Sequence, residues 1–140
     1  MPQSSPPAST PRPTTSSSSV SEPRRLQFEG AGGLALAADS FGDPQAPAVL
    51  LLHGFPELAF SWRKVLPALA AAGYHAFAPD QRGYGRTTGW SADYDGDLYP
   101  FHMLNLVRDA LGLLHALGIA RVEAVVGHDF GASVAAWAAL

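Results

Sequence analysis

Hydrophobic side chains are sparse over the first 24 positions and then arrive in short, separated runs. "RLQFEG" and "LALAADSFG", divided by "AGG", predict two strands joined by a turn. Five consecutive apolar residues, Ala48 to Leu52, predict a strand buried on both faces rather than one with a wet side. "SWRKVLPALAAAG" predicts a helix with Ser61 as N-cap and Gly73 as its stop, with Pro67 delaying or kinking its first turns. "HAFAPD" predicts another short strand ending at Asp80. In "FHMLNLVRDALGLLHALG", Leu104, Val107, Leu111 and Leu114 recur at helical spacing, and Gly118 is placed to end the helix. "RVEAVVG" predicts one more strand, and "GASVAAWAAL" opens one more helix.

Alternating strands and helices imply parallel βαβ units with right-handed crossovers. The predicted class is therefore α/β, a mostly parallel sheet with helices on both faces. Ligands meet such sheets beyond the carboxyl ends of the strands. Three clusters fall there: His53-Gly54-Phe55-Pro56-Glu57, Asp80-Gln81-Arg82-Gly83-Tyr84-Gly85 and Gly127-His128-Asp129-Phe130-Gly131. Segments distant in sequence are thus predicted to converge on one rim.

Composition narrows the classes. The 140 residues suffice for one modest domain, placed at 25–140, and 47% apolar content is globular. Residues 1–24 are Ser, Thr and Pro with almost nothing to bury, which predicts a disordered tail. The tail has no apolar stretch of secretory type; a cytoplasmic location is expected, with its hydroxyl-rich, acid-poor makeup leaving an organelle transit peptide open. A net charge of −3 offers no electrostatic footprint for nucleic acid or an anionic membrane, and no apolar run reaches the roughly 20 residues of a membrane helix. Without cysteine there are no disulfides, thiolate metal sites or Cys nucleophile. No His-x-x-x-His or clustered acids suggest a metal, and "GYGRTTG" lacks the Lys-Ser/Thr of a phosphate loop, so no cofactor is expected.

The chemistry concentrates at "AVVGHDFGAS". An apolar run ending in Gly-His-Asp-Phe-Gly before small helix-opening residues outlines a nucleophile elbow, with Asp129 at its centre. A serine attacking a saturated carbon would leave an ether that water cannot open. A carboxylate makes an ester whose carbonyl belongs to the enzyme, and hydrolysis regenerates it. Aspartate is ionised at neutral pH and needs no base for its attack. The second step needs a base and an oxyanion hole, for which the backbone N–H of Phe130 and that of Phe55 are the candidate donors. Gly127 and Gly131 stand where strand and helix pack closely. His53 and His128 are read as packing or turn residues, Asp80 and Arg82 as braces of the rim, and Trp62 as lining either a pocket or the core.

"HGFPE…SWR", "PDQRGYG" and "VGHDFG" occur in the order and at the separations of a known family. From about Arg25 to Leu140 the chain resembles the N-terminal part of the α/β-hydrolase fold, most closely its epoxide hydrolases. The resemblance implies Asp129 as nucleophile, Phe55 and Phe130 as oxyanion-hole donors, and a cis peptide at Phe55–Pro56. It also implies a substrate wall from Phe55, Pro56, Trp62 and Phe130, and a small apolar epoxide and water as reactants. Haloalkane and fluoroacetate dehalogenases share the aspartate and form the alternative. However, the halide-gripping Asn or Trp of the first gives way here to Phe55 and Phe130, and the Arg that follows the nucleophile in the second is absent. In this fold the acid and histidine follow the nucleophile, and the eleven residues after Asp129 contain neither. Lid tyrosines, acid, base and remaining strands are therefore expected beyond Leu140, and the chain by itself is expected to be inactive. A non-enzymatic hydrolase remnant is the rival reading.

Overall fold

The computed structural model describes residues 22–140, so the tail predicted to be disordered lies outside it except for its last three positions. One of these, Arg24, already belongs to the domain. It opens strand β1 (Arg24–Glu29), and its guanidinium donates to the carbonyl of Gly42 at 2.9 Å.

The described residues form one sheet of β1, β2 (Ala35–Phe41), β3 (Ala48–Leu52), β4 (His75–Pro79) and β5 (Ala124–Gly127), in the order β1-β2-β4-β3-β5. β4, β3 and β5 run parallel, whereas β2 pairs antiparallel with both β1 and β4, so β2 alone opposes the other four. The helices are α1 (Val65–Ala71), α2 (Met103–Ala116) and α3 (Phe130–Ala138). β3 steps to β4 through α1, and β4 steps back past β3 to β5 through α2. The two crossovers run in opposite directions and carry their helices on opposite faces, as a single shared handedness requires.

The continuous apolar run of β3 now has its cause. All five residues of β3, and all five of β4, are buried. Leu50, Leu52 and Phe77 pack with Val107, Ala110 and Leu113 of α2 and Val134 of α3. Val49, Leu51, Ala76 and Ala78 pack on the other face with Leu66 of α1 and Phe41. Alternate side chains of β3 serve two cores, so none of its five positions faces water.

Three local expectations change. Ser61 caps nothing; it lies inside a 3-10 turn at Ala59–Trp62, and α1 starts only at Val65. Pro67 is then the third helical residue, where an N–H has no intrahelical acceptor to lose, which explains the late start. On α2, Leu104 and Leu111 are exposed; the buried stripe is Val107, Ala110 and Leu113, flanked by Met103, Leu106, Leu114 and Leu117. Two neighbouring leucine stripes compete on this helix, and the small Ala110 conceals the true one. Leu111 instead lines, with Leu114, Val122, Val125 and Ala132, an open cleft of about 590 Å³ beside β5. β5 itself begins at Ala124 rather than Arg121. Among the described residues no helix is long and apolar enough to cross a membrane.

Two histidines are buried within this frame. His75 is hydrogen-bonded through Nε2 to Ser40 Oγ at 2.8 Å, and His53 lies beneath the carboxyl end of β3. Burial pushes both below the usual histidine value of 6.5; the charge of Arg24 adds to this at His75, while Asp43 opposes it there and the Gly54 carbonyl, Asp80 and Glu57 oppose it at His53. Well above pH 6.5 both are neutral folded or unfolded, and they contribute no slope. Below it the unfolded chain takes up protons that the fold refuses, so stability falls with pH, by at most about 1.4 kcal/mol per pH unit for each histidine. Urea midpoints at pH 8.5, 7.5 and 5.5 should be level over the first interval and drop over the second; a flat profile throughout would contradict this account.

Candidate active site

β5 ends at Gly127, His128 donates its backbone N–H to the carbonyl of Leu52 at 3.1 Å, and α3 begins at Phe130. Asp129 holds the corner with φ 55° and ψ −128°, the one non-glycine residue with positive φ among those described. Such a conformation costs about 1–3 kcal/mol and persists only where its surroundings enforce it. Here glycines do the enforcing. A Cβ on Gly127 would strike the backbone of Gly131 and Ala132, and one on Gly131 would strike the carbonyls of Leu52 and His53. A Cβ on Gly54 would strike Asp129 itself. The loop after β3 and the corner after β5 therefore touch backbone to backbone.

The contact delivers a hydrogen bond. The N–H of Phe55 donates to Asp129 Oδ2 at 2.9 Å. This donor first, then the N–H of Phe130 and the neighbouring His128, hold the Asp129 carboxyl below the usual aspartate range. The side chain is open to solvent and ionised at neutral pH. The Phe55–Pro56 peptide is cis. The arrangement is a solvent-facing carboxylate at the start of a helix, with its Oδ2 engaged by the Phe55 N–H.

The sequence pattern of the family described as alpha/beta hydrolase fold matches residues 47–140. The chain belongs to the α/β-hydrolase fold family. Epoxide hydrolase A of Mycobacterium tuberculosis is 51% identical over 102 residues, which are 73% of this chain and 30% of that protein. Epoxide hydrolase 3 of Siraitia grosvenorii is 49% identical over 89 residues, 64% of this chain and 26% of that protein. The crystal structure of Epoxide Hydrolase A from Mycobacterium thermoresistibile matches with a TM-score of 0.75 at 43% identity, covering 84% of this chain and 35% of that one. The chain thus spans about a third or less of the length of these relatives, and over that span it is epoxide hydrolase-like in sequence and fold.

Around this α/β-hydrolase elbow the three predicted clusters do meet. Gln81 donates its backbone N–H to His53 Nε2 at 2.9 Å and its side-chain amide to the His53 carbonyl at 2.6 Å. The Tyr84 ring stacks on Phe130 with centroids 6.0 Å apart and stands edge-on to His53 at 5.0 Å. Burial, and secondarily the Asp129 charge, push the Tyr84 phenol up. Tyr84 and Gln81 were not singled out in the sequence as site residues; their position directly after a buried strand was the available signal.

Asp80 and Arg82 brace, as their rim position suggested. Asp80 is buried and accepts from the N–H of Ala59 at 2.9 Å and from the backbone and Nε of Arg86 at 3.1 and 2.8 Å. Arg82 forms a two-pronged pair with Asp109, both bonds 2.8 Å. His53 has both ring nitrogens committed to backbone, and His128 presents Nδ1 to Glu57 at 3.3 Å. Phe55 and Pro56 are exposed beside the carboxylate. Trp62 packs against the core around Leu66 and lines a shallow cleft with Glu57, Ser61 and His128.

Close approach at the elbow gives a paired expectation. Gly131→Ala places a methyl group on two backbone carbonyls and should cost about 2–3 kcal/mol. Gly112→Ala, in the middle of α2 with nothing within 4 Å, should stabilise by about 0.5–1 kcal/mol. Urea midpoints of the two variants should move in opposite directions; a shared direction would mean that the corner is looser than described.

Proposed function

We propose that this segment carries the nucleophile and oxyanion hole of an epoxide hydrolase, an enzyme that converts a small apolar epoxide and water to a vicinal diol. The observation that carries the reading is the exposed Asp129 carboxylate with Phe55 N–H on Oδ2. That bond differentiates the two oxygens. Oδ1 attacks a saturated ring carbon, the ring C–O bond breaks, and the alkoxide takes a proton from a donor. Water then adds to the ester carbonyl, whose oxygen is the Oδ2 already held by the N–H of Phe55, with the N–H of Phe130 as the second donor. Negative charge returns to that oxygen in the tetrahedral intermediate, where the two donors stabilise it. Phe55, Pro56 and Phe130 supply an apolar wall, with Trp62 behind it, and no metal or cofactor is required. The base and its acid follow the nucleophile in this fold. The eleven residues after Asp129 contain neither.

The test uses this chain joined to the part of the M. tuberculosis Epoxide hydrolase A that follows the matched segment. A single turnover of styrene oxide in ¹⁸O-water, with enzyme in excess, should give unlabelled diol and place the label in the peptide containing Asp129. Asp129→Asn should abolish turnover, and Asp129→Ser should not restore it, because the ether it could form has no route to hydrolysis. Solvent oxygen in the first-turnover diol would mean that water attacks the ring directly. Release of halide from a chloroalkane, with no epoxide opening, would favour the dehalogenase reading.

A further inference from the structure

His53 is buried completely, one residue beyond β3, and it is the one histidine described with hydrogen bonds at both ring nitrogens. The identity of its partners fixes where its proton sits. The backbone N–H of Gln81 can only donate, so Nε2, 2.9 Å away, accepts and carries no hydrogen. Nδ1 therefore bears the proton and donates it to the carbonyl of Gly54 at 3.0 Å. That carbonyl belongs to the same peptide unit as the N–H of Phe55. Because a peptide is planar, whatever fixes its C=O also fixes the direction of its N–H. One end of the Gly54–Phe55 peptide is thus held by the His53 imidazole and the other points at Asp129 Oδ2, 2.9 Å away.

The same ring also reaches the second donor. It stands edge-on to Phe130 with centroids 6.3 Å apart, and edge-on at 5.0 Å to Tyr84, which stacks on Phe130. The Gln81 amide returns a bond to the His53 carbonyl at 2.6 Å and ties this arrangement to the end of β4. Gly54 cannot carry a side chain without striking Asp129, so the peptide has no Cβ of its own to lock it.

We propose that His53 is a positioning residue for the oxyanion hole, a neutral imidazole in its Nδ1–H form that aims the Phe55 N–H at Asp129 by holding the Gly54 carbonyl. The assignment deepens the reading of Phe55 as an oxyanion donor and rests on it. A histidine that merely filled the core would show no preference for which nitrogen bears the proton and no influence on Asp129. Protonation would set an Nε2–H against the N–H of Gln81, so the imidazolium form is incompatible with this geometry.

The experiment needs no turnover, which separates its failure from failure of the epoxide reading. In the isotopically labelled 140-residue chain at pH 7.5, long-range ¹H–¹⁵N correlations should show His53 Nδ1 as the protonated nitrogen and Nε2 as the bare one. The Phe55 amide proton should shift as Asp129 ionises. The titratable neighbours of Asp129 are His128 and Tyr84, and those of His53 are Asp80, Glu57 and Tyr84. The Asp129 midpoint is therefore read from its own carboxyl carbon. His53→Leu should raise that midpoint by about one pH unit, a tenfold change in protonation. His53→Asn, which keeps a donor where Nδ1 stands, should recover most of the loss, and His53→Gln should not. Where His53→Leu fails to fold, the wild-type tautomer and the contrast between Asn and Gln decide. A proton on Nε2, an unmoved Asp129 midpoint in folded His53→Leu, or equal behaviour of Asn and Gln would overturn the proposal.

Discussion

The approach of two backbones, the loop after β3 and the corner after β5, underlies the rest of this structure. It exists because Gly54, Gly127 and Gly131 have no Cβ, and each would otherwise place a carbon on main-chain atoms or on Asp129. Contact at this distance lets Phe55 N–H reach Asp129 Oδ2. It also supports the positive φ of Asp129, which lifts the carboxylate out of the strand–helix path and into solvent. The parallel pairing of β3 with β5 sets the register: Leu52 lies opposite Gly127, so both chains leave the sheet at the same level. Shift that register by one residue and the core side chains of β5 change face, while Phe55 loses its acceptor.

Two aspartates at strand ends show how surroundings separate a buried brace from a solvent-exposed carboxylate. Asp80 follows β4 and accepts from three N–H groups, those of Ala59, the Arg86 backbone and the Arg86 guanidinium. Its carboxylate is buried and fully employed, and Gly85 permits it to lie against the loop. Asp129 follows a strand in the same sheet but is exposed to solvent and holds one hydrogen bond on Oδ2, from the Phe55 N–H. A buried carboxylate with both oxygens engaged stabilises a loop. One with an oxygen left open has the lone pair that attack on carbon would need.

Much of this was legible in the sequence where one residue type admitted one explanation. The unbroken apolar run Ala48–Leu52 meant burial on both faces, and the structure places it between two cores. The glycines around Asp129 meant close backbone approach, and that is where they stand. Reading failed where several residues competed for one role. On α2 the leucines mark two stripes, and the choice between them depends on which helix face meets Leu52 and Phe77, a tertiary fact. Ser61 has cap chemistry, but the 3-10 turn before α1 is dictated by the Asp80 carboxylate gripping the Ala59 N–H, far away in sequence. Tyr84 escaped notice for the same reason, since its partners His53 and Phe130 lie in other segments.

The donors at Asp129 carry a cost as well as a benefit. By stabilising the carboxylate they make it a weaker base and, in the proposed first step, a less eager nucleophile. In the proposed second step their return would come, when the same oxygen would pass through an oxyanion and need fixed dipoles that do not have to reorganise. Fixing them requires rigidity upstream, and His53 supplies it only while neutral. Burial, which keeps its ring neutral, therefore serves two ends. The fold refuses a proton there, which makes it acid-sensitive, and by the same refusal it keeps the Gly54–Phe55 peptide in one orientation at neutral pH. Stability and the geometry of the candidate site are thus linked through one imidazole, and acid should loosen both together.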